Sequence, residues 1–503
     1  MAVEKVLGIE TEYGITGGPD SDPVAASTHL VNAFAHFGQR FINWDFNDET
    51  PGIDARGRQL LTSVAPIVET QMANTVLTNG ARFYVDHAHP EYSAPECRTP
   101  REAVLYDLAG EEVLRRAMAV ANEFAPDAPP TVVYKNNSDH KGNSYGTHEN
   151  YLLSRDIPFD DIVAAMVPHF VSRQIVVGAG KVGVETEDAL VSPVGFQLSG
   201  RAEFFEEVVG LETTLKRPIV NTRDEPHANP DRYRRLHVII GDANMSHVAT
   251  LVKLGSTAIL LAILEDWGAQ LFPAMPKNPV SAVRLFSRDV SLKQAVDCID
   301  GVSRTSYDLQ DQLWLLARRY VDESGAAAVA PLEEVEEILR HWREMLDGVK
   351  QGGDSVIDRV DWVAKRRILN GYAQRYGLDD DDPKLRAIDL QYHDIRPEKS
   401  LAYRSALVEL FSGAEILRAT QQPPIDTRAY FRGRCVAQYP DTLVSANWDS
   451  VIFDHGGDVL QRIPMMEPLR GTELLTRGLF DSCETSYDLV EALRGERTND
   501  AGA

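Results

Sequence analysis

Cysteine is scarce in this 503-residue chain, and long apolar runs are missing. Its four cysteines, Cys97, Cys298, Cys435 and Cys483, are far apart and form no CxxC pair. That spacing excludes a disulfide framework and a cysteine-based zinc cluster, and it fits reduced thiols. The longest apolar run, Ala258-Ile-Leu-Leu-Ala-Ile-Leu264, stops at Glu265-Asp266, far short of the roughly 20 residues that span a bilayer. The first residues, Met1-Ala-Val-Glu-Lys-Val, lack a secretory layout, so the expected location is cytoplasmic, with no membrane contact. Positive charge is also in short supply. Fifty-one Lys and Arg against 75 Asp and Glu leave a net charge of −24, which argues against nucleic acid as a partner. There are no internal repeats and no low-complexity tracts.

The remaining composition is that of a globular protein, with 43% hydrophobic and 25% charged residues. Val6 to Ile15 reads as a strand with Gly8, Glu10 and Glu12 on one face and Leu7, Ile9, Thr11 and Tyr13 on the other. Residues 37–79 have little periodicity, and Trp44 to Gly57 reads as a long polar surface loop, a length that is uncommon unless functional. Ala81 to Asp86 reads as a strand in which Arg82, Tyr84 and Asp86 share one face. Thr99-Pro-Arg-Glu102 is a capping box opening a helix with Val113, Ala117, Val120 and Phe124 along one stripe. Lys135 to Tyr145 reads as a polar loop. Strands over Thr147–Leu152 and Arg235–Ile240 place His148 beside Asn150, and Arg235 beside His237 and Ile239. Residues 246–267 and most of 306–376 read as helical. Gln421-Gln-Pro-Pro424 reads as a linker, giving expected domains at 1–424 and 425–503.

Two motifs are decoys. Gly178-Ala-Gly-Lys-Val-Gly183 has the form GxGxxG, but no helix pattern opens there to meet a pyrophosphate. His87-Ala-His89 is a weak metal signal, because Pro90 interrupts the strand, and supporting roles suit both histidines better. The acids make the stronger case. Glu10, Glu12 and Asp86 lie on strand faces, with Glu91 on the turn beyond. Each acid alone suits a solvated strand, but several converging need cations to neutralise them. Hard oxygen ligands with an occasional imidazole suit Mg²⁺ bridging nucleotide phosphates, and Arg82, Arg223 and Arg235 suit the phosphates themselves. The cluster Lys216, Arg217, Arg223, Arg232, Arg234 and Arg235 is either a solvated face or a site for phosphates or an acidic partner. Residue patterns alone stop at a metal-and-anion site on an antiparallel sheet.

At these residues the chain resembles a known family. The match runs through Gly8-Ile-Glu-Thr-Glu-Tyr-Gly14, Asn79-Gly-Ala-Arg-Phe-Tyr-Val-Asp86 and His89-Pro-Glu-Tyr92, then Lys135-Asn-Asn137 and Asn143-Ser-Tyr-Gly-Thr-His-Glu-Asn-Tyr151. It continues through Asn221-Thr-Arg-Asp-Glu-Pro-His227, Tyr233-Arg-Arg-Leu-His-Val238, Asp361-Trp-Val-Ala-Lys365 and Asp389-Leu-Gln-Tyr-His-Asp394. These segments resemble the enzymes that attach or remove the prokaryotic ubiquitin-like protein Pup, a family related in fold to glutamine synthetase and glutamate–cysteine ligase. The insert at 37–79, Asp86-His-Ala-His-Pro-Glu91 and Trp448-Asp-Ser-Val-Ile-Phe-Asp454 resemble the deamidase/depupylase branch.

The resemblance implies an α+β fold, a glutamine-synthetase-like curved antiparallel sheet flanked by helices, with a small C-terminal α/β domain. It implies ATP and Mg²⁺ as cofactors. Glu10, Tyr84 and Glu91 match metal-binding positions, and His148 and His237 match metal or phosphate contacts. Arg82 and Trp448 match positions that hold ATP, with Arg223 and Arg235 added as phosphate ligands. Asp86 matches the catalytic aspartate, acting as nucleophile or as general base. The role of Glu12 stays open. The implied activity is deamidation of the C-terminal glutamine of Pup and hydrolysis of the Pup–lysine isopeptide in pupylated proteins. Pup is acidic and disordered and folds on binding, and Arg217, Arg232, Arg234, Arg428 and Arg432 are its expected groove. A Pup–protein ligase, a small-molecule carboxylate–amine ligase and a non-catalytic nucleotide-binding module are the alternatives.

Overall fold

In the computed structural model, residues 1–18, 22–34, 40–47, 49–57, 73–185, 195–380 and 382–500 are described, with side chains to residue 495. Six strands form the central sheet: β1 (Leu7–Glu12), β2 (Asn74–Val76), β3 (Arg82–Asp86), β4 (His89–Ser93), β5 (Thr147–Ser154) and β6 (Tyr233–Val238). Their order is β6-β5-β1-β4-β3-β2, and every pair is antiparallel. The fold is α+β, as expected.

Alternation along each strand divides the sheet into two unlike faces. Leu7, Ile9, Phe83, Val85, Tyr92, Tyr151, Leu153, Leu236 and Val238 point into the main core. Helices α1 (Pro100–Phe124) and α2 (His247–Trp267) cover this face. Gly110 permits the close fit of α1, since a Cβ there would stand 2.4 Å from the Tyr92 ring. Helix α2 is long and apolar enough to cross a membrane, yet His247 to Leu264 are all buried inside the protein. Scanning for unbroken apolar runs misses it because Lys253 and several Ser and Thr residues interrupt the pattern. Inside the fold, Lys253 gives its charge to the Asp242 carbonyl and Asn244 Oδ1.

Several local expectations change. The stretch from Trp44 is not simply a surface loop. Asn43–Trp44 pairs in parallel with a strand at Leu443–Ala446, and Trp44 packs edge-on against Trp448 at 5.0 Å. Asp54 bridges to Arg223, and Asn74–Val76 closes the sheet edge. The driving force is burial of Ile42 and Trp44, which short-range periodicity cannot reveal. Residues 37–39, 48 and 58–72 of the expected insert lie outside the described residues.

The Lys135–Tyr145 segment is also largely buried. Lys135 Nζ donates to Asp107 Oδ2 at 2.6 Å and to Glu111 Oε1 at 2.9 Å on α1. The capping box is half formed. Thr99 accepts from the Glu102 backbone, but the Glu102 carboxylate turns to the Arg98 amide. Phe124, at the end of the predicted stripe, is exposed, and β6 ends at Val238, two residues earlier than read. The glycine-rich decoy at 178–183 opens no helix: residues 181 and 182 form a short strand.

Beyond residue 424 the helix Ala429–Gln438 carries Arg428 at its N-cap and Arg432 on its first turn. Both guanidiniums reach back to Glu96, which follows β4. Burial opposes ionisation of Glu96, but the charges of Arg432 and Arg428 prevail and hold its carboxyl down to about 2. The depressed value means stability that is fully present above the ordinary carboxylate value and lost as pH falls toward 2. Glu96→Gln is therefore expected to lower unfolding free energy at neutral pH by about 3 kcal/mol. Urea titrations at a series of pH values should also show the wild-type slope below pH ~4.5 flattened in the variant.

Candidate active site

The face of the sheet opposite the core carries the chemistry. Register places Glu10 opposite both His148 and Ser93, Glu12 and Tyr84 opposite Glu91, and His237 opposite Asn150. Side chains from five strands therefore converge. At the end of β3 a two-residue turn joins Asp86 to His89, and His87 sits there with φ +51°. That left-handed backbone is unusual for a non-glycine residue. It brings His87 Nδ1 within 3.0 Å of Asp86 Oδ1.

Two groups of side chains have the chemistry to hold cations. Glu10, His148 and His237 each place one ligand atom within 4.8 Å of the others, and Glu12, Asp86 and Glu91 do the same. Asn150 organises the first group. Its Nδ2 donates to Glu10 Oε1 at 2.6 Å, while its Oδ1 accepts from His237 Nδ1 and Arg235 Nη1, both at 2.9 Å. With Nδ1 carrying the proton, the His237 Nε2 lone pair is left for a metal.

Electrostatics separates the acids. Burial works against ionising Glu10, but the hydrogen bond from His148 and the neighbouring His148 and Arg235 hold its carboxyl below the usual range. Burial also disfavours the Asp86 anion, yet His87 and a hydrogen bond with Glu12 keep it low. Glu12 is pushed up by burial and by the charge of Asp86. Glu91 is pushed well above the ordinary value by burial and by Asp86, Glu12 and Glu10. Burial lowers the His237 imidazole well below its usual value, with Arg235 adding to the effect. The arrangement is an ionised Asp86 among carboxyls that cannot all ionise unless a cation joins them.

Two pockets open onto this face from opposite ends. The first is lined by Gly8, Glu10, Asn150, His227, Arg235 and Trp448, among others. The second meets Glu12, Asp86, His148, Tyr145, Arg201 and Arg217. Buried nitrogens suit anions at the first pocket and beside it. Arg223 Nε and Arg235 Nε have no hydrogen-bond partner among the described residues, which fits phosphate oxygens.

Some expected site residues sit elsewhere. Arg82 lines neither pocket. Its guanidinium lies 3.8 Å from the Tyr84 ring centre and 4.3 Å from that of Trp44. Tyr84 supports Arg82 with its ring, and its hydroxyl is 3.4 Å from Ser93 Oγ. His89 lines the second pocket, held with Nδ1 on the Tyr13 carbonyl and its ring against Tyr145.

The proposed arginine groove does not form as one surface. Arg428 and Arg432 are buried and paired with Glu96; Arg428 lines the first pocket and neither lines the second. Arg234 is buried beside Asp224 and the Phe159 ring. Arg232 is exposed and pairs with Glu467. Of that set only Arg217 reaches the second pocket. Asn150, Glu96 and Arg201 were missed as site or supporting residues. Glu96 had one usable signal, two arginines four apart on a helix that need a carboxylate. Arg201 had none in its local sequence.

The chain matches the family model described as Pup-ligase protein over residues 5–452. It is 48% identical to a depupylase of Acidothermus cellulolyticus, covering 98% of this chain and all of the relative. It is 44% identical to a Pup deamidase/depupylase of Mycolicibacterium smegmatis, again over 98% of this chain and all of that protein. Among solved structures it superposes on the ligase PafA in complex with Pup, with TM-score 0.79 and 28% identity over 99% of this chain and 95% of that one. PafA in complex with ADP matches with TM-score 0.75 and 30% identity over 89% and 99%. The chain belongs to the Pup-ligase protein family.

Proposed function

We propose that this chain is an amide hydrolase acting on Pup, converting the C-terminal glutamine to glutamate and releasing Pup from lysines of pupylated proteins. The observation that carries this reading is the meeting of two pockets on one acid-bearing face, with Asp86 in the second. Full-length identity of 44–48% to proteins named depupylase and Pup deamidase/depupylase favours hydrolysis over ligation.

The first pocket takes the nucleotide, as the ADP-bound relative suggests. In this proposal the nucleotide is ATP, with adenine against Trp448 and phosphates toward Arg235 and Arg223. Glu10, His148 and His237, with Glu12 and Glu91, would hold Mg²⁺, which would offset phosphate charge and polarise an oxygen of the substrate. Arg82 and Tyr84 keep the nucleotide side in place indirectly, through the stack with Trp44 and so with Trp448.

The second pocket admits the side-chain carboxamide of the terminal residue. Amide resonance makes this carbonyl a poor electrophile, so it needs a strong, positioned partner. Asp86 supplies that partner, because its carboxylate stays ionised beside Glu12 and is held by His87. It either attacks the carbonyl carbon, expelling ammonia or the lysine amine and leaving an acyl-aspartate for water to cleave, or takes a proton from an attacking water. Either route consumes one water and gives a glutamate side chain plus the free amine.

Three outcomes test this. Mixing the chain with glutamine-ended Pup, ATP and Mg²⁺ is expected to change the intact mass of Pup by conversion of one amide to an acid. A folded chain that leaves the mass unaltered removes the reading. Asp86→Asn is expected to lower kcat by roughly 10⁴-fold or more, with melting temperature and ADP affinity close to wild type. By contrast, Arg235→Met is expected to weaken ADP binding roughly 10- to 100-fold in calorimetry, the scale of a lost charged hydrogen bond.

A further inference from the structure

The second pocket is larger than the reacting amide needs. It encloses about 590 Å³, in the range of cavities that hold a whole ligand and not one side chain. Its lining is also of two kinds. Lys141, Arg201 and Arg217 give one part a positive charge. Elsewhere the lining is Ile15, Pro23, Ala88, Tyr134 and Leu390, none of them charged and four of them aliphatic.

Backbone pairing brings the uncharged residues side by side. Just beyond Glu12 the chain enters a strand, Gly14–Thr16, that pairs antiparallel with Val132–Tyr134, placing Gly14 opposite Tyr134. Tyr134 bridges to Asp394, and the Lys135 amide donates to the His393 carbonyl. Those bonds lay the end of the helix Pro383–Tyr392, which carries Leu390, against the same strand. The helix Pro23–Phe34 packs on Gly14–Thr16 as well. Its Ser27 hydroxyl donates to the Ala88 carbonyl at 2.9 Å, which ties Pro23 and Ala88 together two residues from Asp86. Ile15, Ala88, Tyr134 and Leu390 are half-buried, and Pro23 is exposed at the rim.

The two proposed reactions differ only in what leaves. In each the amide C–N bond breaks, and water supplies OH to the carbonyl carbon and H to the departing nitrogen. Deamidation expels ammonia, which needs no room. Release from a target expels a lysine amine on four methylenes. Before cleavage that nitrogen is a neutral amide, so the stem is apolar along its whole length and gains by leaving water. Aliphatic walls match such a stem, and a cationic lining does not. After cleavage the amine takes up a proton, and an ammonium against apolar walls is poorly solvated, which favours its departure.

We infer that Ala88, Tyr134 and Leu390, with Ile15 and Pro23 beside them, form the subsite for the aliphatic stem of the target lysine, and so favour lysine-like leaving groups over shorter ones. This deepens the proposed action on Pup and rests on it. The stem lies along the apolar lining next to Asp86, and the target protein stays outside the rim at Pro23. Because the subsite meets only methylenes, it accepts a lysine from any protein surface.

The test uses the full chain with Pup whose terminal side chain is the carboxamide or its N-methyl, N-ethyl, N-propyl or N-butyl amide. Hydrolysis is followed by intact mass. From methyl to butyl, wild-type kcat/KM is expected to rise roughly 2- to 4-fold per methylene, the scale of burying one CH₂. Leu390→Ser and Tyr134→Ser are each expected to flatten that rise and to lower the ratio of butylamide to carboxamide hydrolysis roughly tenfold. A flat or falling series in wild type overturns the inference, and this arm decides on its own should neither variant fold. A slope unchanged in both folded variants overturns it as well. If wild type hydrolyses none of the amides, the carboxamide included, the action on Pup itself fails, and the inference with it.

Discussion

Mutual repulsion of carboxylates is the constraint on which this molecule turns. Glu10, Glu12, Asp86 and Glu91 occupy adjoining positions on one face of a sheet whose other face is a dry core. In such a place each acid raises the cost of ionising the next. The fold answers unevenly. Glu10 is given two imidazoles, the Asn150 amide and the charge of Arg235, while Asp86 has His87. Among the described residues Glu12 and Glu91 lack comparable support, so a cation from outside would meet their charge. A divalent cation brought with an anionic nucleotide is the economical answer.

The same constraint explains the rest of the architecture. An acid-rich face has to be rigid, or the carboxylates would move apart. Helices α1 and α2 clamp the apolar face, with Gly110 allowing contact with Tyr92 one residue from Glu91. The C-terminal segment adds a second clamp, since Arg428 and Arg432 grip Glu96 just beyond β4, and Trp448 meets Trp44. Cations are distributed accordingly. Those at the first pocket sit where phosphates are expected. Water-excluding surroundings make each of these charges count for more than it would at the surface.

How much of this could be read in sequence follows from the range of the interactions. The strand faces were legible because period-two alternation is local, and Glu10, Asp86, His148 and His237 fell on the face now observed. Resemblance to the family supplied the fold and the direction of the chemistry. Interactions distant in sequence were not legible. Arg428 and Arg432 looked like free cations because their partner, Glu96, lies more than 330 residues away. Arg82 looked like a nucleotide ligand because the stacking of Trp44 upon it depends on a parallel pairing between residues 43–44 and 445–446.

The most direct measurement is the melting temperature of Glu91→Gln against wild type, in chelator and in Mg²⁺ with ADP. The variant is expected to melt at or above wild type in chelator, because one repelling carboxyl is gone. Mg²⁺ with ADP is expected to raise the wild-type melting temperature clearly more than that of the variant. A variant that melts lower in chelator yet gains as much from Mg²⁺ and ADP as wild type would contradict carboxylate repulsion as the governing constraint.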